Sequence, residues 1–75
     1  MKFIEMTGAR LREMIHPDEM EDEDLHKAGV EDDTIVRINE QGDIEVRRQT
    51  GWDVIGGVLG EFQERVKTAS GLEWA

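Results

Sequence analysis

The chain has no cysteine and no tyrosine, a single proline, and nine basic residues against eighteen acidic ones. Without cysteine there are no disulfides, no thiolate metal ligands and no thiol nucleophile. That absence fits a reducing cytoplasm, where thiol cross-links are rare anyway. No apolar run approaches the ~20 residues that span a bilayer. The longest, counting its glycines, is Val54–Gly60. The opening MKFIEMTGARLREM mixes charges where a signal peptide has an apolar stretch. The expectation is one cytoplasmic domain over residues 1–75, too short for a second core.

What is abundant is acid, and it is concentrated. Residues 18–33 hold nine Asp and Glu side chains against Lys27 alone, a local charge of −8 within a total of −9. Nucleic acid and anionic lipid are bound through Lys and Arg, so both are excluded as partners by charge. The segment reads as a polar loop at about 17–33, with Asp24–Gly29 able to make one helical turn stopped by Gly29.

Local patterns supply the elements. KFIEM is a short strand bounded by Thr7-Gly8, and Thr7 caps a helix with Leu11, Met14 and Ile15 on one face. His16-Pro17 ends it, because a residue before proline is driven out of helical geometry. In TIVRINEQGDIEVRR, Val36 and Ile38 alternate with Arg37, and Ile44 and Val46 with Glu45. A type I turn at Asn39–Gly42 with Gly42 left-handed closes this hairpin, 34–48. The register then sets Ile38 opposite Ile44, Val36 opposite Val46, and Arg37 opposite Glu45 on the other face. The same dodecapeptide, VRINEQGDIEVR, resembles the opening hairpin of AbrB-type DNA-binding regulators. The proline and basic helix of that family are missing after it, where QTGWDVIGG stands, and the acidic charge opposes DNA. The family is not assigned.

Thr50 and Asp53 have capping-box spacing, which predicts a second helix from about Gly51 or Trp52, with the stripe Ile55, Val58, Leu59, Phe62, Val66 and Ala69 and an end at Ser70-Gly71. Its alternative start lies after Gly57, with GWDVIGG as a loop. Leu72 and Trp74 form an apolar tail that folds back on the core. The expected fold is α+β, order β-α-β-β-α: a three-stranded sheet with two helices on one face.

Gly56 and Gly60, four apart in that helix, raise the question of function. Glycine in a helix interior costs about 1 kcal/mol relative to alanine, so close approach of the sheet, or of another helix or second copy, is the compensation sought. A phosphate cradle does not fit, because neither glycine-rich phosphate spacing is present and Asp53 opposes an anion. The acidic run fails the EF-hand pattern: counted from Asp22, the fifth position is His26 and the glycine falls eighth. His16, His26 and Ser70 show no spacing that joins a nucleophile to a base or gathers a zinc site, so the chain reads as no enzyme, without cofactor or metal.

The functional expectation is a small acidic protein–protein interaction module, binding an unknown protein or forming a weak homo-oligomer. Its candidate contact residues are Gly56, Gly60, Glu21, Asp22, Glu23 and Asp24. The alternatives are a ligand or divalent-cation binder using the acidic loop, and an acidic mimic of nucleic acid.

Overall fold

The computed structural model describes residues 2–74. In chain order the elements are β1 (Phe3–Thr7), α1 (Gly8–Met14), α2 (Asp22–Lys27), β2 (Ile35–Asn39), β3 (Asp43–Arg48), β4 (Gly51–Gly57) and α3 (Phe62–Ser70). The strands form one antiparallel sheet in the order β1-β2-β3-β4. The α+β class holds, with four strands where three were expected and three helices where two were. No helix among the described residues is long and apolar enough to cross a membrane.

The central hairpin has the register its alternation dictates: Val36 faces Val46, Arg37 faces Glu45 and Ile38 faces Ile44. Gly42 takes φ 93° in the turn, and its N–H donates to the Asn39 carbonyl at 2.9 Å. The Asn39 side chain tightens the same turn, its Oδ1 accepting from the N–H of Gln41 (2.9 Å) and of Asp43 (3.0 Å). β1 pairs beside β2, Ile4 opposite Ile38 and Met6 opposite Val36. Three strands therefore present one continuous apolar face.

Thr7 caps α1, its hydroxyl accepting from the Arg10 N–H at 3.3 Å, and α1 stops before His16-Pro17. Gly8 is required where α1 begins. Its N–H donates to the Thr34 carbonyl at 2.8 Å, and a Cβ there would run into the backbone carbonyl of Glu31. α2 begins two residues before the turn expected at Asp24–Gly29 and ends at Lys27, with Gly29 left-handed at φ 80°.

The region after β3 is the main correction. Gly51–Gly57 is neither the start of a helix nor a loop but the edge strand β4. Thr50 and Asp53 form no capping box. Residues 49 and 50 turn the chain, with Gly51 at φ 134°, and Asp53 pairs with Arg48 at 3.2 Å. The physical reason is a bulge. Val54 lies opposite Glu45 and Gly56 opposite Ile44, leaving Ile55 without a partner on β3. One extra residue destroys the period-2 signature that would have marked a strand. Helix α3 begins only at Phe62, so Leu59 is an exposed loop residue.

Ile4, Met6, Val36, Ile38, Ile44 and Val46 from the sheet meet Leu11, Met14, Leu25, Phe62 and Val66 from the helices in one core. The helices thus cover the sheet face that carries these residues. The other face, carrying Phe3, Glu5, Arg37, Glu45, Trp52 and Val54, has no helix over it among the described residues, and Leu72 and Glu73 of the tail border it.

Candidate functional site

Glycines 56 and 60 do not share a helix face. Gly56 lies in β4 beneath Met20, where a Cβ would come within 2.6 Å of the Met20 sulfur. Gly56 has a close neighbour, but it lies in a strand and not a helix, and the neighbour is the Met20 side chain of the same chain, not the sheet, another helix or a second copy. Gly60 sits in the turn before α3 at φ 67°, with open space where a Cβ would point. Its need is conformational.

Glu21, Asp22, Glu23 and Asp24 gather at the start of α2, where the positive end of the helix favours them. Asp24 accepts from the Glu21 N–H at 3.0 Å. Asp22 reaches Arg12 at 3.6 Å, Glu23 reaches Lys27 at 3.2 Å, and Arg12 also binds Asp32. The acids are therefore interleaved with bases from α1 and α2. Among the described residues, no group of three or more His, Asp or Glu side chains is gathered so as to hold a metal ion.

One member of the acidic run is not a surface charge. The Glu19 side chain is only 2% exposed and pairs with Arg65 of α3 at 2.6 Å. Its carboxylate also accepts from the N–H of His16 (2.9 Å) and of Leu59 (2.6 Å), while Arg65 donates further to the Met14 carbonyl. The Arg65 guanidinium, helped by those N–H groups and against the cost of burial, holds the Glu19 carboxyl at about 2, from an ordinary 4.5. This latch fastens the segment after α1 to the entrance of α3. Sequence spacing gave no signal for it, because the partners lie 46 residues apart.

On the uncovered sheet face the residues form a different kind of assembly. The Arg37 guanidinium lies 3.7 Å from the centre of the Phe3 ring and 4.0 Å from that of Trp52, a cation over two π faces. Its Nε and Nη2 both donate to Oε1 of Glu45, at 3.0 and 2.9 Å. The other Glu45 oxygen accepts from the Asn39 amide at 3.1 Å, and that amide also reaches Asp43 at 3.0 Å. Side-chain exposures of 19% for Arg37 and 9% for Glu45 mark this as a largely enclosed network. Phe3, Glu5, Trp52, Leu72 and Glu73 line a shallow groove beside Arg37, and Val54 stands 58% exposed on the same face. The cross-strand pair Arg37–Glu45 was legible from the hairpin. The aromatic partners were not, since the local pattern puts Trp52 near a helix start and Phe3 in a strand without naming its neighbours.

Compared with family models, with curated proteins and with solved structures, the chain finds no match in any of the three.

Proposed function

We propose that the protein is a non-enzymatic protein–protein interaction module that binds its partner on the uncovered face of the sheet. The observation that carries this reading is the Phe3–Arg37–Trp52 stack anchored by Glu45. Aromatic and arginine side chains are the groups that dominate binding energy at protein interfaces. Here they are held in place before any partner arrives, which lowers the ordering cost of association. Exposed Val54 and half-exposed Leu72 extend the apolar part of the patch. Gly56 and Gly60 have no part in this surface, and the acids of α2 lie outside it.

The test is cross-linking in a lysate of the native host, with Val54→Glu and Trp52→Leu compared with Asp22→Asn/Glu23→Gln. A partner captured by the wild type and the α2 variant, but lost by both sheet-face variants at unchanged melting temperature, supports the reading. Retention by the sheet-face variants with loss by the α2 variant moves the interface to the acidic segment.

A further inference from the structure

Resting on that reading, we infer that the partner presents a basic segment, and that an arginine or lysine side chain of it occupies the groove between Phe3, Glu5, Trp52 and Leu72. Across β1 and β2, Glu5 stands directly opposite Arg37, which on β3 stands opposite Glu45. The guanidinium commits two of its donor groups to Glu45 and lies over both the Phe3 and the Trp52 rings. Among the described residues Glu5 has no ion-pair partner within 4 Å, and it is exposed. Glu73, at the other wall, shares its charge with Lys67 at 3.2 Å. The groove therefore offers a carboxylate with no ion pair within 4 Å beside apolar and aromatic surface, and the one cation that lines it is engaged; Arg47 lines a separate cavity next to Glu5.

An arginine or lysine fits those terms, its alkyl stem on Phe3 and Leu72 and its charged head at Glu5. A carboxylate or phosphate ligand would meet Glu5 and Glu73 and gain nothing from Arg37. The net charge of −9 acts in the same direction at long range, drawing in a basic partner and repelling a second copy of this chain.

The probe is the capped peptide Gly-Arg-Gly-Arg-Gly, titrated into the isotope-labelled full chain at about 0.15 M salt and followed by amide and indole resonances. Its counterparts carry lysine, glutamate or leucine in place of arginine. The arginine peptide should shift the Trp52 indole and the amides of Phe3 and Glu5. Glu5→Gln should weaken binding about two- to fivefold, the size of an exposed charge contact, and Glu5→Lys should weaken it further. The triple variant Asp22→Asn/Glu23→Gln/Asp24→Asn should stay within about twofold of wild type. Shifts confined to residues 18–33, or affinity lost in the triple variant and kept in Glu5→Gln, would overturn the inference. If the leucine or glutamate peptide alone moves the Trp52 and Phe3 resonances, the basic partner is wrong while the binding face stands. If no peptide of any class moves them, both readings fail.

Discussion

Two side chains 19 and 65 positions along the chain illustrate how unevenly charge contributes here. Most acids between 18 and 33 are exposed, but Glu19 is enclosed and bidentate with Arg65. Because its folded pKa is lowered, its contribution to stability is complete above the unfolded value of 4.5 and is lost as pH falls toward about 2. The depression corresponds to stabilisation on the order of 3 kcal/mol. Glu19→Gln should therefore lower the unfolding free energy by about 2–3 kcal/mol at pH 7, since it leaves Arg65 half-buried beside a neutral amide. The difference between wild type and variant should narrow between pH 4.5 and 2, which urea melts at a series of pH values measure. A constant difference over that range would show that the contact contributes through packing and not through charge.

Glycine is the other lesson at this scale. Gly8→Ala drives a methyl into the Glu31 backbone carbonyl and should cost about 3 kcal/mol or more, because backbone cannot step aside. Gly56→Ala meets Met20 first, a flexible side chain that fills irregular space, so about 1 kcal/mol is expected. Gly60→Ala should cost a similar amount through its positive φ alone. In a double-mutant cycle, Met20→Ala should offset part of the Gly56→Ala loss and none of the Gly60→Ala loss. Additivity at both positions would remove Met20 from the explanation of Gly56.

Among the elements, the hairpin and the edge strand differ in how plainly the chain announces them. Strict alternation, a turn glycine and one charge pair made the β2–β3 register readable to the residue. In β4 three things removed that signal: Ile55 sits in a bulge, two glycines end the strand, and Val58, Phe62 and Val66 continue at helical spacing. Of the expected stripe, Val58, Phe62 and Val66 are buried but Leu59 is 63% exposed, and its members divide among the edge strand, a loop and a later helix. Of the candidate site, the Arg37–Glu45 half was legible. The aromatic half depended on which strands are neighbours, which no local pattern encodes. In the C-terminal tail, the expected folding back on the core holds for Trp74 and not for Leu72. Trp74 packs edge-on to Phe62 with ring centres 6.1 Å apart, and its indole donates to the Gln63 carbonyl at 3.3 Å, while Leu72 stays half-exposed. Ending the chain after Gly71 should cost about 1–3 kcal/mol, one aromatic contact plus the partial burial of one large ring. A melting temperature within a degree of wild type would place that ring's contribution near zero.

At the scale of the whole molecule, two electrostatic effects compete. The exposed pairs Arg12–Asp22, Arg48–Asp53, Lys27–Glu23 and Arg10–Glu13 attract and are weakened by salt. The acidic segment repels itself, with a charge of −8 over sixteen positions, and salt weakens that too. The attractive pairs are exposed and each is worth only about 0–1 kcal/mol. The two enclosed pairs, Arg65–Glu19 and Arg37–Glu45, are screened much less than surface charges. Repulsion is therefore the larger salt-sensitive quantity, and melting temperature should rise between about 0.05 and 0.5 M sodium chloride as the screening length falls below about 10 Å. Calcium or magnesium at matched ionic strength should add little, because the acids of α2 are already interleaved with Arg12 and Lys27 and the described residues gather no three-ligand cluster. A saturable, stoichiometric calcium isotherm by calorimetry would reverse this conclusion and make the acidic segment a true cation site. A fall in melting temperature with added salt would show instead that the exposed pairs outweigh the repulsion around them.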